Sequence, residues 1–134
     1  MLETGNAQEQ IFLIIGLMAA FQIKHFLADF LFQNKYILTY RHIYGHPSGL
    51  IHVAIHAIGS AAILWYVPIG FLTFAVVLAG EAVIHYHIDW LKEQVNRRLG
   101  LTMESNSFWL TLGLDQLLHQ LTYVGMILWI INFG

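Results

Sequence analysis

The stretch Glu81-Ala82-Val83-Ile84-His85-Tyr86-His87-Ile88-Asp89-Trp90-Leu91-Lys92 decides how this chain is read. It sets Glu81, His85 and Asp89 four residues apart, and on an α-helix residues so spaced stack along one face, rising about 6 Å per step. Ionisable side chains in such a row need partners. The same step recurs as His25/Asp29, His52/His56 and Asp115/His119, each pair in a separate apolar segment.

Those segments identify the solvent. Of the 134 residues, 57% are hydrophobic and 10% charged, whereas an ordinary soluble domain is roughly 25% charged. One domain in a membrane is the expectation. The eight histidines outnumber the six lysines plus arginines, and there is no cysteine. A disulfide framework and a thiolate metal site are therefore excluded, and any metal must be held by nitrogen and oxygen. A net charge of −2 offers nothing to a nucleic acid. Glu3 and Glu9 stand where a signal peptide would be basic, so the first apolar run is expected to be retained as structure.

Spans of roughly 20 residues cross a bilayer, and helices are predicted at about residues 9–33, 49–67, 69–98 and 107–132. Residues 34–47 read as a polar and aromatic loop ending in the turn Pro47-Ser48-Gly49, and Gly100 reads as a helix stop. The tight connection at residues 67–70 makes its flanking helices antiparallel neighbours. With no repeat, linker or low-complexity tract, the predicted fold is all-α: a single transmembrane domain over residues 1–134, built as a four-helix up-down-up-down bundle. Lys24, Lys35, Arg41, Lys92, Arg97 and Arg98 all fall at one end of it. The positive-inside rule makes that end cytoplasmic and both termini extracytoplasmic, as for a multi-pass protein of a bacterial inner membrane. Tyr36, Tyr40, Tyr44, Trp90 and Trp109 would form an aromatic belt there, with Trp65, Tyr66 and Trp129 at the opposite face.

Depth can then be compared between helices. His25 and Asp29 come late in the first span, His52 and His56 early in the second, Glu81 to Asp89 late in the third, and Asp115 and His119 early in the fourth. In helices of alternating direction these are all the same end, so the pairs converge on one layer in the cytoplasmic half, with Glu81 deepest. Left unpaired, Asp29, Glu81, Asp89 and Asp115 would together cost on the order of 10 kcal/mol to bury. Lys24 and Lys92 look too few and too shallow to offset this, whereas two divalent cations would balance four carboxylates. His25, Asp29, His52, His56, His85, Asp89, Asp115 and His119 are the expected ligands of one or two divalent ions, zinc first, with manganese or iron as alternatives. Helical bundles hold such ions with ligands from facing helices. A metal-free proton relay or polar network remains open, and haem is disfavoured by the carboxylates. Gln33, Gln116 and Gln120 read as interhelical hydrogen bonds, and His42, His46 and His87 as lying outside the layer.

The motifs His25-x-x-x-Asp29-x-x-x-Gln33, His52-x-x-x-His56, His85-x-x-Ile88-Asp89-x-x-Lys92 and Asp115-Gln116-x-x-His119 together resemble a family of small bacterial membrane proteins catalogued as domain of unknown function 3307. The resemblance implies a polytopic bacterial membrane protein and brings no activity with it. In layout the chain is more loosely similar to membrane-bound metal-dependent hydrolases, which suggests a reaction class by analogy.

Three functions follow as expectations. The first is a divalent-metal-dependent hydrolase of a lipid or headgroup ester near the cytoplasmic face, with Glu81 or Asp115 as the base. The second is transport of a metal ion or protons, weakened by the near absence of a polar relay toward the far face. The third is an accessory subunit whose metal clamps the bundle. Membrane lipids are the expected partners, and a homo-oligomer is open.

Overall fold

The computed structural model describes residues 6–134; Glu3 lies outside the described residues. Helix α1 (Ala7–Phe26) begins where the Asn6 side chain accepts a hydrogen bond from Glu9 N at 3.0 Å, with Glu9 acidic in the first turn. It runs on into a π-helical turn, Leu27–Leu31, marked by Phe32 N donating to Leu27 O at 3.0 Å, five residues back. Regular α-helix was expected there. The wider turn re-aims Asp29, which lies within it, and single π-turns of this kind are frequent at functional sites.

The predicted loop also holds an element that hydropathy did not reveal. Asn34 caps a short helix α2 (Lys35–Tyr40), accepting from Ile37 N at 3.0 Å, and Ile37 is fully buried. Six residues are too few to show a hydrophobic period. Helix α3 (Pro47–Leu64) starts with Pro at its first position and His46 as N-cap, whose Nδ1 accepts from Ser48 N at 3.2 Å. Helix α4 (Phe71–Arg98) closes on Gly100 at φ +61°, with Leu101 N donating to Asn96 O at 2.8 Å. The left-handed glycine and its long return bond end the helix where Gly100 predicted a stop. Ser105 caps helix α5 (Asn106–Phe133), accepting from Phe108 N at 3.3 Å.

The architecture is all-α. Four helices are long and apolar enough to cross a membrane, which makes this a multi-pass membrane protein. Helix α1 packs against α3 and α5, α3 against α4, and α4 against α5, so the long helices close into a ring. The bundle is apolar outside and polar within. Phe12, Ile23, Phe30, Ile58, Val83 and Leu121 are exposed, while eight of the described histidines and carboxylates, His25, His52, His56, Glu81, His85, Asp89, Asp115 and His119, are buried inside. Toward the termini the interior turns hydrophobic, through Leu17, Phe21, Leu64, Val77, Met126, Ile127 and Ile130.

One close approach matters to the site. A Cβ on Gly59 of α3 would stand 2.6 Å from Lys24 Cγ and 3.0 Å from Lys24 Cδ. Gly59 thus leaves the gap through which the Lys24 stem enters the bundle. Because that stem is fixed at its backbone and, as described below, at its head, it has little room to yield. Gly59→Ala is expected to destabilise the protein by about 1–3 kcal/mol in detergent unfolding. Gly16→Ala, where the added carbon meets nothing within 4 Å, is the control expected to stay near wild type.

Candidate metal centre

The four-residue steps place their side chains in tiers across the bundle. In the outermost tier, His52 Nε2 lies 3.1 Å from Asp89 Oδ2 and 3.4 Å from Asp29 Oδ1. Next inward come four imidazoles from four helices, with ring centroids 3.9 Å apart for His56–His85, 4.1 Å for His85–His119 and 4.9 Å for His25–His119. Asp29 reaches up to this tier from the π-turn, at 3.0 Å from His56 Nε2 and 3.2 Å from His25 Nε2. Asp89 likewise lies 3.4 Å from His85 Nε2 and 3.9 Å from His119 Nε2. All eight residues expected as ligands are therefore brought to one end of the bundle interior, within one connected cluster. Asp115 stands at its edge, with Oδ1 3.8 Å from His119 Nδ1.

The four intramembrane carboxylates are compensated unequally, and here one expectation is corrected. Lys24 and Lys92 are not too shallow. Lys24 Nζ donates to Glu81 Oε1 at 2.6 Å, and Lys92 Nζ donates to Asp115 Oδ2 at 3.3 Å. The long lysine stem lets the ammonium lie well away from its own Cα, so position along the helix understates its reach. Arg41, beyond α2, closes the outer end. Its Nε and Nη2 donate to Glu93 Oε1 at 3.1 and 2.7 Å, its Nη1 donates to Gln33 Oε1 at 2.9 Å, and Asp89 Oδ2 lies 3.9 Å away. Burial works against the Arg41 charge, but Asp89 and Glu93 outweigh it and raise its pKa. Three cations, Lys24, Arg41 and Lys92, thus face five carboxylates, Asp29, Glu81, Asp89, Glu93 and Asp115. With neutral imidazoles, two negative charges remain, on Asp29 and Asp89.

The cluster is also short of hydrogen bonds. Both ring nitrogens of His52 and of His85, with His119 Nε2, Asp89 Oδ2 and Asp115 Oδ1, are buried without a hydrogen-bond partner. His52 Nε2 and Asp89 Oδ2 are close enough to bond, at 3.1 Å, but are not aligned to do so. Nitrogen and oxygen atoms 3.0–3.4 Å apart match the edge of a tetrahedron, about 3.3 Å for zinc ligands at roughly 2.0–2.1 Å. Among the described residues, two subsets have one ligand atom each within 4.8 Å of all the others: Asp29, His52, His56 and His85, and separately His85, Asp89 and His119.

Residues outside the motifs complete the site. Tyr123 Oη lies 3.0 Å from Lys24 Nζ and 2.9 Å from His25 Nδ1, and the Tyr123 ring stacks on Phe21. Tyr123 continues the Asp115/His119 step by four residues, a signal that was present and unused. Gln116 Oε1 meets His25 Nε2 at 3.2 Å, so this glutamine does bond between helices; Gln33 instead serves its own turn and Arg41. His42, His46 and His87 lie outside the cluster, with His87 bonded to Val83 O at 2.7 Å and Tyr44 Oη at 3.1 Å. Of the predicted belt aromatics, Tyr44 packs on Trp90, and also on Tyr86.

Fold and interior together define a polytopic all-α membrane protein with a buried histidine and aspartate cluster. The chain belongs to the DUF3307 family, proteins of unknown function, which it matches over residues 17–133. No curated protein and no solved structure matches it.

The Lys24–Glu81 pair should behave as a buried ion pair. Glu81→Leu, which strands the ammonium, is expected to cost about 3–5 kcal/mol, and Lys24→Met/Glu81→Leu to recover most of the loss. Unfolding of the two variants in detergent measures this.

Proposed function

We propose that this protein binds a divalent cation within the membrane and uses it to hydrolyse a lipid or headgroup ester near the cytoplasmic face of a bacterial inner membrane. The observation that carries the metal reading is the residual charge: three lysine and arginine cations face five carboxylates, in a cluster where His52, His85 and Nε2 of His119 lack partners. A single divalent ion balances that charge. Zinc suits the nitrogen-rich donor set, with manganese or iron as alternatives.

Hydrolysis is supported by what adjoins the cluster. An open groove of about 550 Å³ runs between α4 and α5 with apolar walls, among them Ile84, Ile88, Leu114 and Leu118, and is also lined by Lys92 and Asp115. An acyl chain fits such walls, and Lys92 offers a charge to a phosphate or ester oxygen. A divalent cation held there would supply Lewis acidity and acidify water. Asp115, with Oδ1 unpartnered, is the group placed to hold a proton as general base. Glu81 also has one unpartnered oxygen, but it serves less well as base, since Lys24 holds its Oε1 at 2.6 Å against 3.3 Å for Lys92 on Asp115, and Asp115, not Glu81, lines this groove. Exposed Arg97 and Arg98 at the cluster's end of the bundle support a cytoplasmic assignment for that end and extracytoplasmic termini. Transport is the weaker reading, because Leu17, Leu64, Val77, Ile127 and Ile130 pack the interior between the cluster and the far end.

Purified protein is expected to contain close to one equivalent of zinc, manganese or iron, lost in Asp89→Ala. Asp115→Asn should keep the ion and lower kcat on a phospholipid phosphoester or acyl ester by about 10²-fold or more. A metal-free preparation that stays folded and active overturns the metal reading, and full turnover in Asp115→Asn removes that residue from the chemistry.

A further inference from the structure

The histidines of the cluster do not share one protonation pattern, and following the protons separates them. Lys24 has N–H donors and no acceptor. Its Nζ lies 2.6 Å from Glu81 Oε1, 3.0 Å from Tyr123 Oη and 3.5 Å from His56 Nδ1. Tyr123 Oη accepts from Lys24, so its own proton goes to its other neighbour, His25 Nδ1, at 2.9 Å. His25 therefore carries its hydrogen on Nε2, which faces two acceptors, Asp29 Oδ2 and Gln116 Oε1, each at 3.2 Å. Both nitrogens of His25 are spent. His56 follows the same logic: Nδ1 faces the ammonium, and Nε2 donates to Asp29 Oδ1 at 3.0 Å. Asp29 is thereby satisfied on both oxygens by imidazole N–H groups, with Gln116 Nε2 a further donor at 3.4 Å.

The α4–α5 side is the opposite. His119 Nδ1 donates to the backbone oxygen of Asp115 at 2.8 Å, which leaves its Nε2 with a lone pair and no partner. His85 has no partner on either nitrogen, and Asp89 Oδ2 has none, although His85 Nε2 is 3.4 Å away. His119 Nε2, Asp89 Oδ2 and the His85 nitrogen that carries no hydrogen are thus buried acceptors without a partner, and one ligand atom of each of the three residues lies within 4.8 Å of the others.

We propose that the cation is held by His85, Asp89 and His119, with His52 Nε2, 3.1 Å from Asp89 Oδ2, as a further nitrogen, and that Lys24 is a positioning residue which keeps His25, His56 and Asp29 as a hydrogen-bonded frame instead of ligands. This assignment rests on the metal reading above and narrows it. Two histidines and one carboxylate leave an open coordination position, the arrangement of catalytic zinc sites. The His119 bond to a backbone carbonyl is the outer contact that orients a metal-binding imidazole. The compact rival set of Asp29, His52, His56 and His85 would require Asp29 and His56 to give up the hydrogen bond between them.

Titration of the full chain in detergent with Co²⁺, followed by its visible ligand-field bands, tests the assignment. Wild type is expected to bind one ion; His85→Ala and His119→Ala should lose it, while His25→Ala retains it with an unaltered spectrum. Binding lost in His25→Ala and retained in His119→Ala overturns the assignment and leaves the metal reading standing. No binding by wild type overturns both. Long-range ¹H–¹⁵N histidine spectra of wild type, without and with Zn²⁺, need no variant. His25 should carry its hydrogen on Nε2 in both states, and His119 should keep Nδ1–H while its Nε2 shifts on zinc addition. A zinc-dependent shift at His25 overturns the assignment. In Lys24→Met the His25 pattern should change, and Lys24→Arg should restore it; an unchanged pattern in Lys24→Met removes the positioning role.

Discussion

The constraint on which this structure depends is the burial of ionised groups where no water can solvate them. A carboxylate inside a bundle of apolar helices must find a cation, a set of N–H donors, or a metal. The first two of these answers are found in different parts of one cluster. Glu81 takes the Lys24 ammonium, Asp115 takes Lys92, Asp29 takes imidazole N–H groups, and Asp89 is left with misaligned neighbours and the flank of Arg41. The charge left on Asp29 and Asp89 after lysine and arginine are paired, and not the number of histidines, is what favours a metal ion here.

Much of this was legible in the sequence, and for a definite reason. Apolar runs of bilayer length show the spans, and the four-residue step shows which faces are polar, because in a membrane the polar face can only point inward. Alternating helix direction then put His25, His56, His85 and His119 at one depth, and their rings do meet. Helical periodicity measures direction and depth well, since both come from the backbone alone.

What it does not measure is side-chain reach and departures from regular helix. Lys24 lies beside His25 in sequence and off its four-residue step, yet its stem passes the bare backbone of Gly59 to meet Glu81. No wheel or hydropathy window registers a gap on a neighbouring helix. The π-turn at Leu27–Leu31 and the short helix α2 were hidden for a related reason: one is a change of hydrogen-bond partner by a single residue, and the other is shorter than a hydrophobic period can resolve. Both bear on the site, the first by carrying Asp29 and the second by leading into Arg41 at its outer end.

The interior is asymmetric along the bundle axis, and this bears on the choice between moving an ion and using one. Passing from the α2 end, the tiers run from aspartate and His52, through the imidazoles, to the Lys24–Glu81–Tyr123 layer, and then to packed Leu, Val, Met and Ile. An ion entering from the α2 end meets ligands of decreasing affinity for it: first carboxylate and imidazole, then an ammonium that repels it, then hydrocarbon. A pore would need the reverse, sites weak enough to leave and a polar path beyond them. Lys24 thus has two effects from one position. It neutralises Glu81, and its positive charge sets an inner limit on how far a cation can travel. An interior closed at one end by charge and packing, with an apolar groove opening sideways past Lys92 and Asp115, suits the proposed retention of an ion and entry of a lipid better than it suits passage of an ion.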